Sequence, residues 1–376
     1  MTSVAPPPRW VDVGLIPLLN LAAAFLIAGL VVVAIGEDPL EATRVLIWGA
    51  LGWGEGIGFT LYYATNFIFT GLAVTVAFHA GLFNIGGEGQ AYVGGLGVAA
   101  AALALDAAWP WWGVFPVATL GAAAVGAAWA FIPAYLQATR GSHVVITTIM
   151  FNFIAASLMV WLLVDVLSPP GSMSPETRTF ADGGRLPKLD GLMGLVGVDI
   201  GAAPLNVSLL LALAMGVVVW ALIWRTRLGY EIRTFGANPT AAVYAGVSPV
   251  RITIVAMLIS GGLAGMMALN SVMGEQNRLI FEFVGGAGFV GIAVALMGRA
   301  HPAGVVLAAI LFGMLYQGGA ELAFEKPAIT RDMVVLIQGL VILFAGALEF
   351  LFRPALGRLF AARAEARIAR AKAETA

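Results

Sequence analysis

The chain has 376 residues, of which 60% are hydrophobic, 11% are charged and 47 are glycine, and its net charge is −1. This composition excludes an ordinary soluble globular domain. The chain contains no cysteine, which excludes disulfides and thiolate metal sites, and its three histidines are too dispersed for a recognisable metal motif. We therefore expect a polytopic membrane protein without a metal site.

Apolar runs long enough to cross a membrane follow one another from end to end of the chain. A helical span needs about 20 mostly apolar residues, and the runs predict an all-α protein with about ten transmembrane helices. The first run is longer than the apolar part of a signal peptide, so we expect it to be retained. The predicted spans are 11–36, 56–78, 82–105, 111–137, 143–167, 205–224, 250–273, 284–298, 302–320 and 333–352.

We assign residues 1–352 to one transmembrane domain and residues 353–376 to a basic tail. A cytoplasmic N-terminus places thirteen of the twenty Lys and Arg residues on the cytoplasmic side, so the positive-inside rule predicts that both termini are cytoplasmic. Segment 225–251 is then the longest cytoplasmic loop. Segment 168–204 is a long outer loop, either an ordered loop or partner-facing surface, or a bare connection. The tail either lies as a helix on anionic lipid or frays into solvent.

A polar, glycine-rich stretch, "GLFNIGGEGQ" (81–90), interrupts the third predicted span. Glu88 is the one charged residue clearly inside a span, where a central charge costs about 2.5–3.5 kcal/mol. Two interpretations are open. The stretch is a broken or re-entrant segment that faces a polar path, or Glu88 is buried and protonated and hydrogen-bonds backbone groups freed at the break. Both place Glu88 in the protein interior.

A second glycine cluster, residues 285–291, opens the eighth span much as the first cluster opens the third. If the ten spans form two inverted halves of five, the clusters occupy matching positions, which indicates a transport path. Polar residues within the predicted spans, such as Asn66 and Asn270, either line a path or join helices, and the spacing of Gly261 and Gly265 predicts close helix contact. The residues predicted for the path or the helix break are Asn84, Gly86, Gly87, Glu88, Gly89, Gln90, Asn152, Gly286, Gly288 and Phe289.

The predicted cytoplasmic loop 225–251 contains a short helix signature. Asn238 can cap a helix, Pro239 suits its first position, and Gly246 can end it after about two turns. So short a helix must pack on something to be stable in water. It either docks in a groove of a partner protein or connects two spans along the membrane surface. The residues predicted to dock are Asn238, Pro239, Ala241, Ala242, Tyr244, Ala245 and Gly246.

The sequence carries no G-x-x-x-x-G-K-[ST] loop for nucleotide hydrolysis. No group of His, Ser, Asp and Glu approaches catalytic spacing, so we expect no catalytic residue and no enzyme activity. An ion-coupled transporter usually needs intramembrane charges, and only Glu88 is available. Energy from a separate subunit therefore fits better, with a stand-alone secondary transporter or channel for a small polar solute as the alternative.

Five segments together resemble the membrane permease subunits of bacterial ABC importers for nucleosides and simple sugars, in the broad group that includes the ribose and branched-chain amino acid permeases. They occur in matching order within residues 11–352. The segments are "GLFNIGGEGQ" (81–90), "RGSHVVITTIMFNFIA" (140–155), "TRLGYEIRTFGANPTAAVYAGV" (226–247), "SGGLAGM" (260–266) and "GFVGIAVALMGRAHPAGVVLAAILFG" (288–313).

The resemblance implies a membrane domain similar to those of vitamin B12-type importers, in the bacterial inner membrane. It implies an ATPase subunit that uses ATP and Mg²⁺, a second permease subunit, identical or related, and an extracytoplasmic substrate-binding protein. It also implies that the helix Asn238–Gly246 engages the ATPase. The chain itself is expected to bind no cofactor, metal or nucleic acid, and to contact membrane lipid.

One departure from the family pattern lies near the cytoplasmic end of the fifth predicted span. The family usually has Asn-Glu where this chain has Ser142-His143. The change removes an acid there. The resemblance therefore fixes neither the identity of the substrate nor the presence of a salt bridge at this position.

Overall fold

A computed structural model describes residue 11 and residues 15–347 of the chain, and the predicted tail 353–376 lies outside this part. The regular secondary structure of the described residues is helical, with two isolated bridges and no strand. The helices are α1 (Ile16–Ile35), α2 (Pro39–Leu51), α3 (Gly54–His79), α4 (Gly87–Leu105), α5 (Trp111–Arg140), α6 (Val144–Trp161), α7 (Asp190–Leu195), α8 (Ser208–Arg225), α9 (Arg227–Ala237), α10 (Pro239–Tyr244), α11 (Pro249–Met266), α12 (Ala287–Met297), α13 (Pro302–Glu325) and α14 (Arg331–Ala347), with π-helical turns at Leu162–Val166 and Leu269–Glu275.

The expected all-helical, polytopic membrane architecture is confirmed. Within the described residues six helices are long and apolar enough to span a membrane, or seven if the bent pair α1–α2 counts as one span. By length and composition, fewer described helices qualify as spans than the ten that the sequence predicts. Helix α4 opens with polar residues, α12 has 11 residues, and α14 has 17 described residues.

Helix α2 lies in a segment that the sequence analysis leaves between spans. Gly36 ends α1 in the left-handed conformation (φ 92°), and the Leu40 amide donates to the Asp38 carboxylate at 2.8 Å. The chain bends by 117° between the two helices. A left-handed glycine followed by an aspartate near a helix start is a local stop-and-start signal. The charged residues Glu41 and Arg44 interrupt the apolar residues of this helix and hide it from a search for apolar runs.

The described part of the chain forms two compact units, its residues up to 47 together with those from 318 onward, and residues 48–317. Within the first unit α1 packs against α14. The Lys326 ammonium lies 2.8 Å from Glu41 and 3.6 Å from Glu37. A Cβ atom at Gly318 would lie 2.1 Å from the Leu46 carbonyl oxygen, so glycine is required for this close helix contact.

The second unit is built around three helices, α4, α5 and α11, that touch through glycines. A Cβ atom at Gly265 would lie 2.3 Å from the Ala122 carbonyl, and one at Gly97 would lie 2.2 Å from the Gly121 carbonyl. Gly261 meets Gly126 in the same way, which confirms the close contact predicted from the Gly261 and Gly265 spacing. Small residues let membrane helices pack backbone against backbone, where dispersion replaces the hydrophobic effect.

Buried asparagines join α3 to the π-helical turn and to the start of α8. The Asn270 side chain donates to the Tyr62 carbonyl at 3.0 Å and to Asn66 Oδ1 at 2.8 Å. Its oxygen accepts from Asn206 at 2.8 Å and from the Ser208 hydroxyl at 3.0 Å. The amide of Asn270 therefore has all four of its hydrogen bonds satisfied, and in these contacts Asn66 and Asn270 join helices.

The segment 168–204 is ordered against the ends of the helices. Arg178 donates to both oxygens of the Asp106 carboxylate, at 2.8 and 2.9 Å, just past the end of α4. The Ala181 amide donates to the same carboxylate at 2.8 Å. Further along, the Leu186 amide donates to the Met273 carbonyl at 3.0 Å. Of the two alternatives raised for this segment, a bare connection does not fit these contacts.

Acid is expected to release this segment from α4. The hydrogen bonds from Arg178 are the main reason why the pKa of Asp106 is lowered, the Ala181 amide adds to them, and partial burial acts in the opposite direction. Because the folded pKa lies below the unfolded value of about 3.9, the stabilisation is complete above that value and is lost as the pH falls through the folded pKa. We expect cleavage of segment 168–204 by pepsin to increase as the pH falls below about 4.

Two variants separate this effect from general acid unfolding. Asp106→Asn should expose the segment already at neutral pH and remove the acid-dependent step. Asp190→Asn changes an exposed acid of the same segment and should keep the acid-dependent step. An acid-dependent step that persists in Asp106→Asn would contradict the assignment.

Candidate functional site

The backbone between α3 and α4 leaves the helical path and turns back into the protein. Helix α3 ends at His79, and Gly81 takes a left-handed conformation (φ 70°). The Asn84 side chain then donates to the Ser260 hydroxyl at 2.8 Å, and that hydroxyl donates to the Ala73 carbonyl at 2.7 Å. Ala73 lies well before the end of α3, so α4 begins inside the helix bundle.

Side-chain amides satisfy the backbone groups that this break leaves free. Asn152 of α6 accepts from the Gly89 amide at 2.9 Å and donates to the Ile85 carbonyl at 3.0 Å. Asn84 accepts from the Gly86 amide at 2.9 Å and exchanges hydrogen bonds of 2.8 and 3.1 Å with Gln90. Irregular backbone at membrane depth requires such internal partners.

Glu88 connects the first glycine cluster to the second. Its two carboxylate oxygens accept from the backbone amides of Gly286 and Gly288, at 2.9 and 2.8 Å. Gly286 is the N-cap residue of α12 and Gly288 lies in its first turn, where N–H groups have no partner within the helix and the helix dipole favours an acceptor with negative charge. Glu88 is interior and bonds freed backbone groups, but those groups lie 200 residues further along the chain.

The N-termini of α4 and α12 therefore meet, and only glycine permits the contact. A Cβ atom at Gly288 would lie 2.2 Å from the Glu88 nitrogen, and Gly286 has a φ of 84°. The structure thus brings together the two interrupted segments that would occupy matching positions if the chain has the predicted 5+5 repeat. Phe289, also named from the sequence, has a side chain that is 48% exposed.

The predicted short helix is present as α10. The Ala241 amide donates to Asn238 Oδ1 at 3.0 Å, Pro239 is the first helical residue, and Gly246 follows the helix with a φ of 80°. Each of these local features agrees with the sequence-based prediction. Helix α10 covers Pro239–Tyr244, and Ala245 forms its C-cap.

Most of α10 is exposed, with one buried anchor. Tyr244 is 90% exposed and Val243 is 53% exposed, whereas Ala242 is fully buried. Ala242 therefore attaches α10 to the protein and presents no surface to a partner. Val243, which the sequence analysis did not select, shares the exposed surface with Tyr244. The other predicted docking residues, Asn238, Pro239, Ala241, Ala245 and Gly246, are exposed.

Helix α9 links α10 to the break. The Gly229 amide donates to the Thr226 hydroxyl at 3.0 Å, which caps the helix, and Arg227 lies 3.2 Å from Glu231. A Cβ atom at Gly236 would lie 2.2 Å from the His79 carbonyl and 2.9 Å from the Gly81 nitrogen. Helix α9 thus touches the end of α3 where the break begins. The Thr cap and the four-residue charge spacing are the signals that could have revealed α9.

The Ser142-His143 departure lies at the start of α6. His143 is the N-cap residue, but its side chain makes no capping hydrogen bond. Instead the Val144 amide donates to Gln137 Oε1 at 2.8 Å. A side chain of α5 therefore supplies the cap that a residue at position 142 or 143 would ordinarily provide.

Removing the Glu88 carboxylate is expected to destabilise the junction. Glu88→Ala leaves the amides of Gly286, which is half-buried, and Gly288, which is buried, without their acceptor, and an unpartnered buried amide costs about 1–3 kcal/mol. Glu88→Gln keeps one acceptor oxygen and should lose less. Thermal unfolding of the purified full chain in detergent should give midpoints in the order wild type, Glu88→Gln, Glu88→Ala.

Glu282→Gln serves as the matched control, because this carboxylate lies in the segment that leads to α12 and is exposed. Its midpoint should equal that of the wild type. Equal midpoints for Glu88→Ala and Glu282→Gln would exclude Glu88 as the residue that holds the junction.

Comparison with known proteins identifies the family of the chain. Residues 56–346 match the family described as the permease component of branched-chain amino acid transport systems. The chain is 35% identical over 94% of its length to the glucose ABC transporter permease protein of Haloferax volcanii, covering 92% of that protein. It is 32% identical over 92% of its length to the guanosine ABC transporter permease protein of Bacillus subtilis, covering 96% of that protein. It is 30% identical over 93% of its length to a nucleoside ABC transporter permease protein of Lactococcus lactis, covering 95% of that protein. The chain therefore belongs to this permease family and is the non-catalytic membrane permease subunit of an ABC importer.

Proposed function

We propose that this permease moves nucleosides or related small sugars that an extracytoplasmic binding protein delivers. The family implies an ATPase and a substrate-binding protein as partners in general terms. The substrate proposal is supported by the relatives, whose names specify glucose, guanosine and nucleosides. A second permease subunit, identical or related, completes the proposed complex. ATP and Mg²⁺ act on the ATPase, and this chain binds no cofactor.

The proposed topology has ten membrane crossings in a domain of residues 1–352, with both termini in the cytoplasm of the bacterial inner membrane. It is supported by α4 and α12, which begin inside the bundle and so are shorter or more polar than full spans. Their meeting N-termini also support a 5+5 inverted repeat and a fold similar to vitamin B12-type importers. Most Lys and Arg residues then lie inside, together with α9 and α10.

In the proposed mechanism α10 is the lever on which the ATPase acts. The observation that carries this proposal is the exposed surface of Tyr244 and Val243 on a helix with a single buried anchor, Ala242. Helix α9 follows the movement of α10 and contacts the end of α3 through Gly236. Closure of the ATPase pair would therefore push directly on the start of the break.

The proposed path opens at the junction of α4 and α12. Half-helices that meet inside a membrane protein are typical of transport paths. Parting the two helix ends would release Glu88 from the amides of Gly286 and Gly288 and free polar groups for the passing solute. ATP-driven rocking would open this junction alternately to each side of the membrane.

Reconstitution tests the function against its main rival. We expect uptake of radiolabelled guanosine or glucose into proteoliposomes only when the ATPase, the binding protein and ATP are all present with the permease. A proton or sodium gradient alone should drive no uptake. Gradient-driven uptake by this chain without the ATPase would establish a stand-alone secondary transporter instead.

Replacing Tyr244 tests the lever. Tyr244→Arg should weaken ATPase co-purification and uptake by about tenfold or more, because a central aromatic contact typically contributes at least about 2 kcal/mol. The thermal midpoint of the variant should stay unchanged, since Tyr244 is 90% exposed. Ala242→Arg is unsuitable here, because it would disrupt the buried anchor of α10.

Met173→Arg provides the control, because Met173 is fully exposed but lies in segment 168–204. It should retain wild-type ATPase binding. Normal assembly and uptake in Tyr244→Arg would reject α10 as the docking helix.

A further inference from the structure

An open apolar groove lies between α8 and the first turns of α13. Its volume is about 570 Å³, and both helices are long and apolar enough to span a membrane. His301 and Pro302 lie at one end of the groove, where α13 begins. The walls are formed by Leu213, Gly216, Val217 and Trp220 on α8, and by Val306 and Leu307 on α13.

The groove is apolar along its length and has a cation beside one end. Trp220 lies nearer the end of α8 than the other α8 wall residues, and the Arg225 guanidinium stacks over its ring at 5.1 Å. Arg225 is exposed, so its charge is available beyond the ring. His301 closes the same end, and its Nδ1 accepts from the Ala303 amide at 3.3 Å. A tryptophan and an arginine at a helix end are typical of the membrane–water interface.

We propose that this groove is a binding site for one anionic phospholipid. An acyl chain lies along the walls formed by Leu213, Val217 and Leu307, and the lipid phosphate faces Arg225. An apolar groove of this size between membrane helices is filled by the surrounding solvent, which here is hydrocarbon chain. The cation at its interfacial end distinguishes a specific headgroup site from general solvation, because basic residues near the membrane surface attract anionic lipids.

The site adjoins the end of α3. The His301 ring lies 5.1 Å from the Trp224 ring, which lies 5.1 Å from His79, the last residue of α3. The His79 Nε2 is 2.9 Å from the Ala300 carbonyl. A lipid held against His301 and Trp220 therefore supports the helix end from which the break at 80–86 departs.

Lipid retention by the purified full chain measures the site directly. The chain is reconstituted in nanodiscs of equal parts phosphatidylglycerol and phosphatidylcholine, extracted in mild detergent and examined by native mass spectrometry. We expect one retained phosphatidylglycerol on the wild type. Gly216→Leu should reduce its occupancy about tenfold, the loss expected when about two methylene contacts are removed. A Cβ atom at Gly216 would meet only the Val306 side chain, at 3.9 Å, so the added side chain enters the groove without moving the backbone.

Arg225→Gln tests the headgroup contact and changes an exposed residue, so it remains informative if Gly216→Leu does not fold. It should abolish the preference for phosphatidylglycerol over phosphatidylcholine. Two controls match these variants. Gly339→Leu enlarges a membrane-helix glycine that has no neighbour within 4 Å, and Arg140→Gln removes an exposed arginine at the end of α5. Both should retain the lipid as the wild type does.

Three results would overturn the proposal. They are unchanged lipid occupancy in Gly216→Leu, unchanged headgroup preference in Arg225→Gln, and equal loss in the two controls. The groove could instead receive a second copy of the chain. Because the chain contains no cysteine, Val217→Cys introduces a single thiol into the groove wall. A disulfide-linked dimer of this variant in membranes would show a permease–permease contact, and the lipid assignment would be wrong.

Discussion

The structure of the second unit depends on one carboxylate that satisfies the start of a helix at a contact between two helix ends. The first N–H groups of a helix have no partner within the helix, and at α12 they lie on Gly286, which is half-buried, and on Gly288, which is buried. Glu88 supplies both acceptors, at 2.9 and 2.8 Å, and the glycines around it allow the two backbones to touch. Placing the Glu88 carboxylate in lipid would cost free energy. Leaving the amides of Gly286 and Gly288 without an acceptor would also cost free energy, and the contact between them avoids both costs.

From this junction a continuous series of contacts leads to the exposed helix α10. The break returns from Glu88 to Gly81, which lies against Gly236 of α9. Helix α9 ends at Ala237, and Asn238 is both its C-cap and the N-cap of α10. A single asparagine therefore ends α9 and starts α10, with no linker between the two short helices. Force applied to Tyr244 has a short route of packed backbone to the end of α3, which is the physical requirement for a lever.

Local chemistry could be predicted from the sequence, whereas long-range contacts could not. The α10 helix was predictable because Asn238, Pro239 and Gly246 act through their own neighbours in the chain. The interior position of Glu88 was predictable because a charge in a long apolar run has nowhere else to lie. Its partners at Gly286 and Gly288 were not, because no local rule connects residues 200 positions apart.

The number of spans is a second property that the sequence predicts incompletely. Apolar run length predicts a crossing only when one helix makes the whole crossing. Helix α12 covers 11 residues because the segment before it enters the bundle as non-helical chain. Helix α2 was not predicted because the polar residues Glu37 and Asp38 before it resemble those of a loop. Sequence periodicity therefore describes complete helices well and describes interrupted ones poorly.

The distribution of glycine indicates which parts of the molecule can move. At Gly97, Gly126, Gly261 and Gly265 the backbones of α4, α5 and α11 touch directly, and a displacement there would break many dispersion contacts at once. At Gly81, Gly285 and Gly286 the glycines have positive φ and lie at bends between helices. Close backbone packing at the former glycines resists displacement, whereas the latter glycines lie at bends, where hinges are commonly found. In the proposed mechanism, opening of the Glu88 contact at such a bend would give a second arrangement while the packed helices stay intact, and alternating access requires such a pair of arrangements.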